Sequence, residues 1–135
     1  DGAKCLRLGA LHPTRDFNFV SDTAAAFMSA LDSGGGIGQV VNVGSDFEIS
    51  IGDMVQVVAD VMEVGVEVET DDERLRPEGS EVERLWASNE KARRLLGWEP
   101  SYGGRDGFRR GIEKTVAWFS DPSNRAGYRS DRYVV

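Results

Sequence analysis

Arg76-Pro77-Glu78-Gly79-Ser80-Glu81-Val82-Glu83-Arg84-Leu85, followed by Lys91-Ala92-Arg93-Arg94-Leu95-Leu96-Gly97-Trp98-Glu99-Pro100, is the stretch on which the fold turns. Its first part is irregular: Pro77 restricts the backbone of the residue before it, and Ser80 reads as a turn or cap residue. Its second part changes character. Glu90 to Leu96 predicts a short helix with Ala92, Leu95 and Leu96 facing inward, and Gly97 supplies a left-handed stop. Trp98 and Pro100 then redirect the chain.

Working back from that stretch, Val66 and Val68 alternate with Glu67 and Glu69, the period of a strand with one wet side. Ser50 followed by Asp53 opens a helix, because a short polar side chain satisfies an orphan amide of the first turn; Met54, Val55, Val58, Val61 and Met62 fall on one face. Gln39-Val40-Val41-Asn42-Val43 is β-branched and apolar on both sides, which predicts a buried strand of a parallel sheet. Asp22 to Leu31 predicts a helix capped by Asp or Ser and stopped by Ser33-Gly34-Gly35-Gly36, and Lys4 to Leu8 a short strand. Working forward, Phe108, Ile112, Val116 and Phe119 recur at helical spacing despite Gly107 and Gly111. From Asp121 onward Pro, Ser, Asn, Gly and Arg dominate, so residues 121–135 are expected to form a loose tail after a single unit over residues 1–120.

These elements suit one α/β domain: 135 residues, 40% hydrophobic and 29% charged, ordinary for a globular chain. No apolar run approaches the roughly 18 residues of a membrane span, and no signal-like stretch opens the chain, so the expectation is a cytoplasmic protein without a membrane partner. Cys5 is the only cysteine and His12 the only histidine, which excludes an internal disulfide and a Cys/His metal site. Cys5, in a predicted strand without a histidine nearby, is expected to be a buried bystander. The net charge of -7 divides unevenly: residues 1–83 hold 5 Lys/Arg against 17 Asp/Glu, residues 84–135 hold 11 against 6. Neither half offers the dense basic surface with aromatic interleaving that nucleic acid requires, and the arginines of the second half read as a solvated helix face.

The Arg76–Leu85 and Lys91–Pro100 segments, together with Thr14-Arg15-Asp16-Phe17-Asn18-Phe19-Val20-Ser21-Asp22-Thr23-Ala24, resemble the carboxyl-terminal part of the extended short-chain dehydrogenase/reductases, the NAD-dependent sugar-nucleotide epimerases and dehydratases. Arg76 to Leu85 is similar to the Arg-Pro-x-x-Ser-Glu-Val-x-Arg-Leu form of nucleotide-sugar 4,6-dehydratases, with an epimerase ancestor as the second choice. The resemblance implies a partial Rossmann-like arrangement with a small mostly parallel sheet, about four helices and short accessory strands. It also implies that Arg15 and Arg76 approach the diphosphate of a nucleotide sugar and that Glu81 contacts its ribose, with Glu78 close by. Guanidinium forks suit a diphosphate, and a carboxylate suits ribose hydroxyls. Asp22 is read as structural, an acceptor for its helix's amides; Phe17, Phe19 and the three tryptophans, Trp86, Trp98 and Trp118, as packing or surface cover.

The chemistry of such enzymes is not encoded here. Hydride transfer to NAD needs a Gly-x-Gly-x-x-Gly turn after a first strand, and proton transfer a Tyr-x-x-x-Lys pair. Gly34-Gly35-Gly36-Ile37-Gly38 precedes a predicted strand instead of following one, and none of Tyr102, Tyr128 and Tyr133 has a lysine four residues on. No catalytic residue and no cofactor is therefore assigned to this chain alone, although the family uses NAD. The expected partners are a nucleotide sugar at a weak or partial site and, because the family builds its cleft between two lobes, a second copy of the chain or a separate cofactor-binding half. A self-associating interaction module and a fragment that complements a separate catalytic half stand as the alternative functions.

Overall fold

Alternation of Val66 and Val68 with glutamates produces β4 (Val66–Thr70), which runs parallel to β1 (Lys4–Leu8) with Leu6 opposite Val68. The computed structural model describes residues 4–75, 77 and 79–126. A second sheet has the order β3-β2-β5: β2 (Thr14–Asp16) lies between antiparallel β3 (Glu48–Ser50) and parallel β5 (Arg84–Leu85). The helices are α1 (Val20–Asp32), α2 (Ile51–Met62), α3 (Glu90–Leu96), α4 (Gly104–Ser120) and the single turn α5 (Pro122–Arg125). The architecture is α/β with a small, mostly parallel strand content, a partial Rossmann-like arrangement.

Local chemistry explains most boundaries. Ser50 Oγ accepts from the Asp53 amide at 3.0 Å and starts α2 as the sequence predicts. Gly97, at φ 62 and ψ 23, ends α3. Ser33 stops α1 and ties it to α3, its hydroxyl donating to the Leu95 carbonyl at 2.6 Å. The core is small: Ala26 of α1, Ala92 of α3 and Trp98 pack together, with Val41, Val43 and Leu96 against them. Phe17 and Phe47 both approach Phe108 of α4 at 5.9 Å, and Phe19 stacks on Tyr102 at 4.3 Å. Gly107 is indispensable there, since a Cβ would fall 2.2 Å from the Tyr102 carbonyl carbon.

Four expectations are corrected. Gln39–Val43 does not form a strand; Val41 and Val43 face the core, but the run has no ladder, and side chains take two of its carbonyls, Lys91 Nζ on Val40 at 2.7 Å and Asn18 Nδ2 on Val43 at 3.2 Å. The apolar pattern needs a neighbouring strand edge to become a strand, and among the described residues none lies beside it. Helix α1 begins at Val20, two residues earlier than predicted, with Phe19 at its N-cap and no side-chain cap. Asp22 is buried and structural, but it accepts from the Tyr102 amide at 2.8 Å, while the Phe19 carbonyl receives the amides of Asp22 and Thr23. Cys5 is exposed, because it shares with Arg7, Glu67 and Glu69 a face of the two-stranded ribbon whose residues are all exposed. Desolvation and a hydrogen bond to Glu69 push its thiol above the ordinary cysteine value, which disfavours a nucleophilic thiolate.

Candidate functional site

Strand β2 organises the site because successive side chains leave it on opposite faces. Thr14 and Asp16 point one way. The Thr14 hydroxyl donates to Glu48 Oε2 at 2.8 Å, and Arg84 closes on the same carboxylate with Nε at 2.7 Å and Nη2 at 2.5 Å. The three strands are thus stitched through one carboxylate. Arg84 first, then Thr14, hold the Glu48 carboxyl below the usual range against partial desolvation, and Glu48 raises Arg84 in return.

Arg15 leaves the other face, in register with Ile49 and Leu85. Its guanidinium donates through Nη2 to Glu81 Oε1 at 2.7 Å and through Nη1 to the carbonyls of Thr14 at 2.8 Å and Val82 at 2.7 Å. Both partners of the ion pair are half-buried. The pair links segments 66 residues apart. Ser80 completes the approach of the loop to the pair: its amide and hydroxyl both donate to the Pro77 carbonyl, at 3.0 and 2.7 Å, and Gly79 takes φ 81. Of the three residues the sequence singles out, Arg15 and Glu81 meet; Arg76 lies outside the described residues.

The residues that hold this arrangement were not singled out by the sequence. Asp16 Oδ1 accepts from the Ser45 amide at 2.7 Å and Oδ2 from Ala87 at 3.4 Å, fixing both loops that flank β2. Asn89 is fully buried and clasps Gly44 at two points: the Gly44 amide donates to Oδ1 and Nδ2 donates to the Gly44 carbonyl, each at 2.7 Å. An asparagine directly before a helix reads as a cap; only the fold reveals that its amide turns toward another loop. Among the described residues no group of three or more His, Cys, Asp and Glu could hold a metal ion, and no helix is long and apolar enough to cross a membrane.

With two signature segments joined on one sheet face, the chain belongs to the family of NAD-dependent sugar-nucleotide epimerases and dehydratases: the family described as GDP-mannose 4,6 dehydratase matches residues 1–111. Among individual relatives, it is 34% identical over 110 residues to a UDP-glucose 4-epimerase of Mycolicibacterium smegmatis, covering 82% of this chain and 32% of that protein. It is 33% identical over 98 residues to a GDP-6-deoxy-D-mannose reductase of Pseudomonas aeruginosa, covering 73% and 31%. The solved dTDP-glucose 4,6-dehydratase of Bacillus anthracis in complex with NAD superposes with a TM-score of 0.73 at 26% identity, over 93% of this chain and 37% of that one. The chain spans about a third of the length of the curated relatives it matches.

Proposed function

We propose that this chain is the nucleotide-sugar-binding portion of an NAD-dependent epimerase or dehydratase, with Arg15 and Arg76 donating to the diphosphate and Glu81 accepting from ribose hydroxyls. The observation that carries the reading is the 2.7 Å bond between Arg15 and Glu81, which unites the two segments that the resemblance assigns to the ligand. A guanidinium has five donor hydrogens. Nη1 spends two on backbone carbonyls and Nη2 one on Glu81, leaving Nε–H and one Nη2 hydrogen as a fork for a phosphate. The Arg15–Glu81 pair is neutral, so a diphosphate needs a second cation, and Arg76 stands five residues before Glu81. The relatives' names also fit: UDP, GDP and dTDP sugars differ in base and share the diphosphate.

The Gly-rich turn and the Tyr-x-x-x-Lys pair are not in this sequence, so no residue here is assigned to NAD or to proton transfer, and purified chain is expected to show no turnover with NAD and a nucleotide sugar. Titration calorimetry with UDP-, GDP- and dTDP-linked hexoses tests the binding. Heat is expected from at least one of them. Arg15→Ala should weaken it by about tenfold to a hundredfold, the worth of one charge-assisted bond at roughly 1.5–3 kcal/mol. Equal heat from the variant and the parent chain would end the assignment. A second reading, a self-associating module, draws on the bare apolar face of α1, and light scattering distinguishes it through a concentration-dependent mass.

A further inference from the structure

Arg15 is held by bonds that cross from one strand to the next. Its Nη1 donates to the carbonyls of Thr14, in β2, and of Val82, two residues before β5, while Nη2 donates to Glu81. The guanidinium plane is therefore fixed only while β2 and the 81–85 segment keep their relative place. The ladder between them is short. β5 is two residues long, its register partners are Thr14 and Arg15, and the Thr14 amide adds a bond to the Glu83 carbonyl at 2.9 Å. A parallel pair of that length is weak in water.

The reinforcement lies on the opposite face of the sheet. Glu48 of β3 accepts the Thr14 hydroxyl and both Nε and Nη2 of Arg84, and so joins Thr14 to its own register partner in β5. Arg84 is confined from a second side, its Cζ lying 5.7 Å from the centroid of the Trp86 ring. We propose that Glu48 is a positioning residue for the diphosphate: acting through Thr14 and Arg84 across the sheet, it holds the Val82 carbonyl and the Glu81 carboxylate where Arg15 meets them. Nε and the remaining Nη2 hydrogen of Arg15 are thereby kept aimed at an incoming phosphate, and Glu48 itself touches no ligand. The proposal rests on the reading of Arg15 as a diphosphate ligand and adds that the site is preorganised from the other face. The sign of the effect separates positioning from simple charge. Glu48 is an anion, so by Coulomb repulsion alone its removal would favour the binding of another anion. If Glu48 positions Arg15, its removal weakens that binding.

The test titrates the 135-residue chain with inorganic pyrophosphate, followed by NMR. Glu48→Gln, of similar size and uncharged, is expected to weaken binding by about fivefold or more, as when the competent arrangement falls to roughly a fifth of the population. Thr14→Val should do the same, and Thr14→Ser, which keeps the hydroxyl, should bind like the parent. Glu113→Gln, which removes a carboxylate from the exposed Arg109 pair on α4, is the charge control and should also bind like the parent. Without ligand, rotation of the Arg15 guanidinium about Nε–Cζ, read from exchange between its Nη1 and Nη2 resonances, should be about fivefold or more faster in Glu48→Gln and Thr14→Val and unchanged in Thr14→Ser. Circular dichroism checks that each variant is folded; if Glu48→Gln is not, the two Thr14 variants decide. Tighter or equal binding by Glu48→Gln, equal binding by Thr14→Val and Thr14→Ser, or a rotation rate that ignores Glu48→Gln and Thr14→Val would overturn the proposal. A parent chain that does not bind pyrophosphate counts against the diphosphate reading instead, and the ligand-free rotation then decides the positioning role alone.

Discussion

Asp22 places a carboxylate almost out of reach of water and answers it with the amide of Tyr102, 80 residues away, at 2.8 Å. That bond fixes the entry to α4 against the start of α1. Asp22→Ala strands a part-buried amide and should cost about 1–3 kcal/mol in urea unfolding, whereas Asp22→Asn keeps an acceptor and should lose less. Equal losses in the two variants would mean that the carboxylate's charge, not its hydrogen bond, is what matters. Gly107 makes the complementary case, since added atoms rather than lost ones do the damage. Its missing Cβ is occupied by the Tyr102 backbone at 2.2 Å, so Gly107→Ala must push two main chains apart and should cost about 1–3 kcal/mol. Gly65→Ala, with nothing within 4 Å, is the control and should be nearly neutral in the same unfolding curves. The sequence identified Arg15 and Glu81 as candidates, but their meeting could not be read there, because it depends on a loop returning 66 residues later. It gave no hint that Gly107 is demanded by a close approach; along the helix the residue looks only like a weak helix former.

Helices α2, α3 and α4 were legible because their signals are local: a capping serine, a left-handed glycine, an apolar period. Strands β2, β3 and β5 are two or three residues long, too short to show a period, and exist because Glu48 joins them. The reverse failure is Gln39–Val43, which has the pattern of a strand without the partner that would make it one. The Glu48 clasp has a pH consequence. Its native carboxyl is held below the ordinary value by Arg84 and Thr14, so the contribution is fully present above the unfolded glutamate value of about 4.3 and disappears as pH falls through the lower native one. Backbone amide resonances of residues 14–16 and 84–85 should therefore shift together at acid pH, below the range of an ordinary glutamate titration. In Glu48→Gln that transition should vanish; its survival would assign it to another group.

At the scale of the molecule, stability is expected to be uneven, because the hydrophobic centre of Ala26, Ala92 and Trp98 joins α1, α3 and the turn after it, while β1 and β4, among the described residues, pair only with each other. A two-stranded ribbon is marginal in water on its own, and a parallel pair is slightly weaker per residue than an antiparallel one. One of its faces presents Cys5 and the glutamates of β4 at the surface, and Arg7 and Glu69 add a surface ion pair at 3.6 Å whose worth is small. The centre, by contrast, is tied by the buried bonds of Asn89 to Gly44 and the part-buried ones of Ser33 to Leu95 and Asp22 to Tyr102. Native-state hydrogen exchange should therefore separate two tiers, with the amides of β1 and β4 and of residues 40–43 opening at least tenfold faster than those of α1 and α3. Salt should leave that order intact, since the difference arises from packing and buried hydrogen bonds and not from surface charge. Uniform protection across β1, β4 and α3 would show that the ribbon is held to the rest of the fold by more than its own ladder, and the two-tier account would fail.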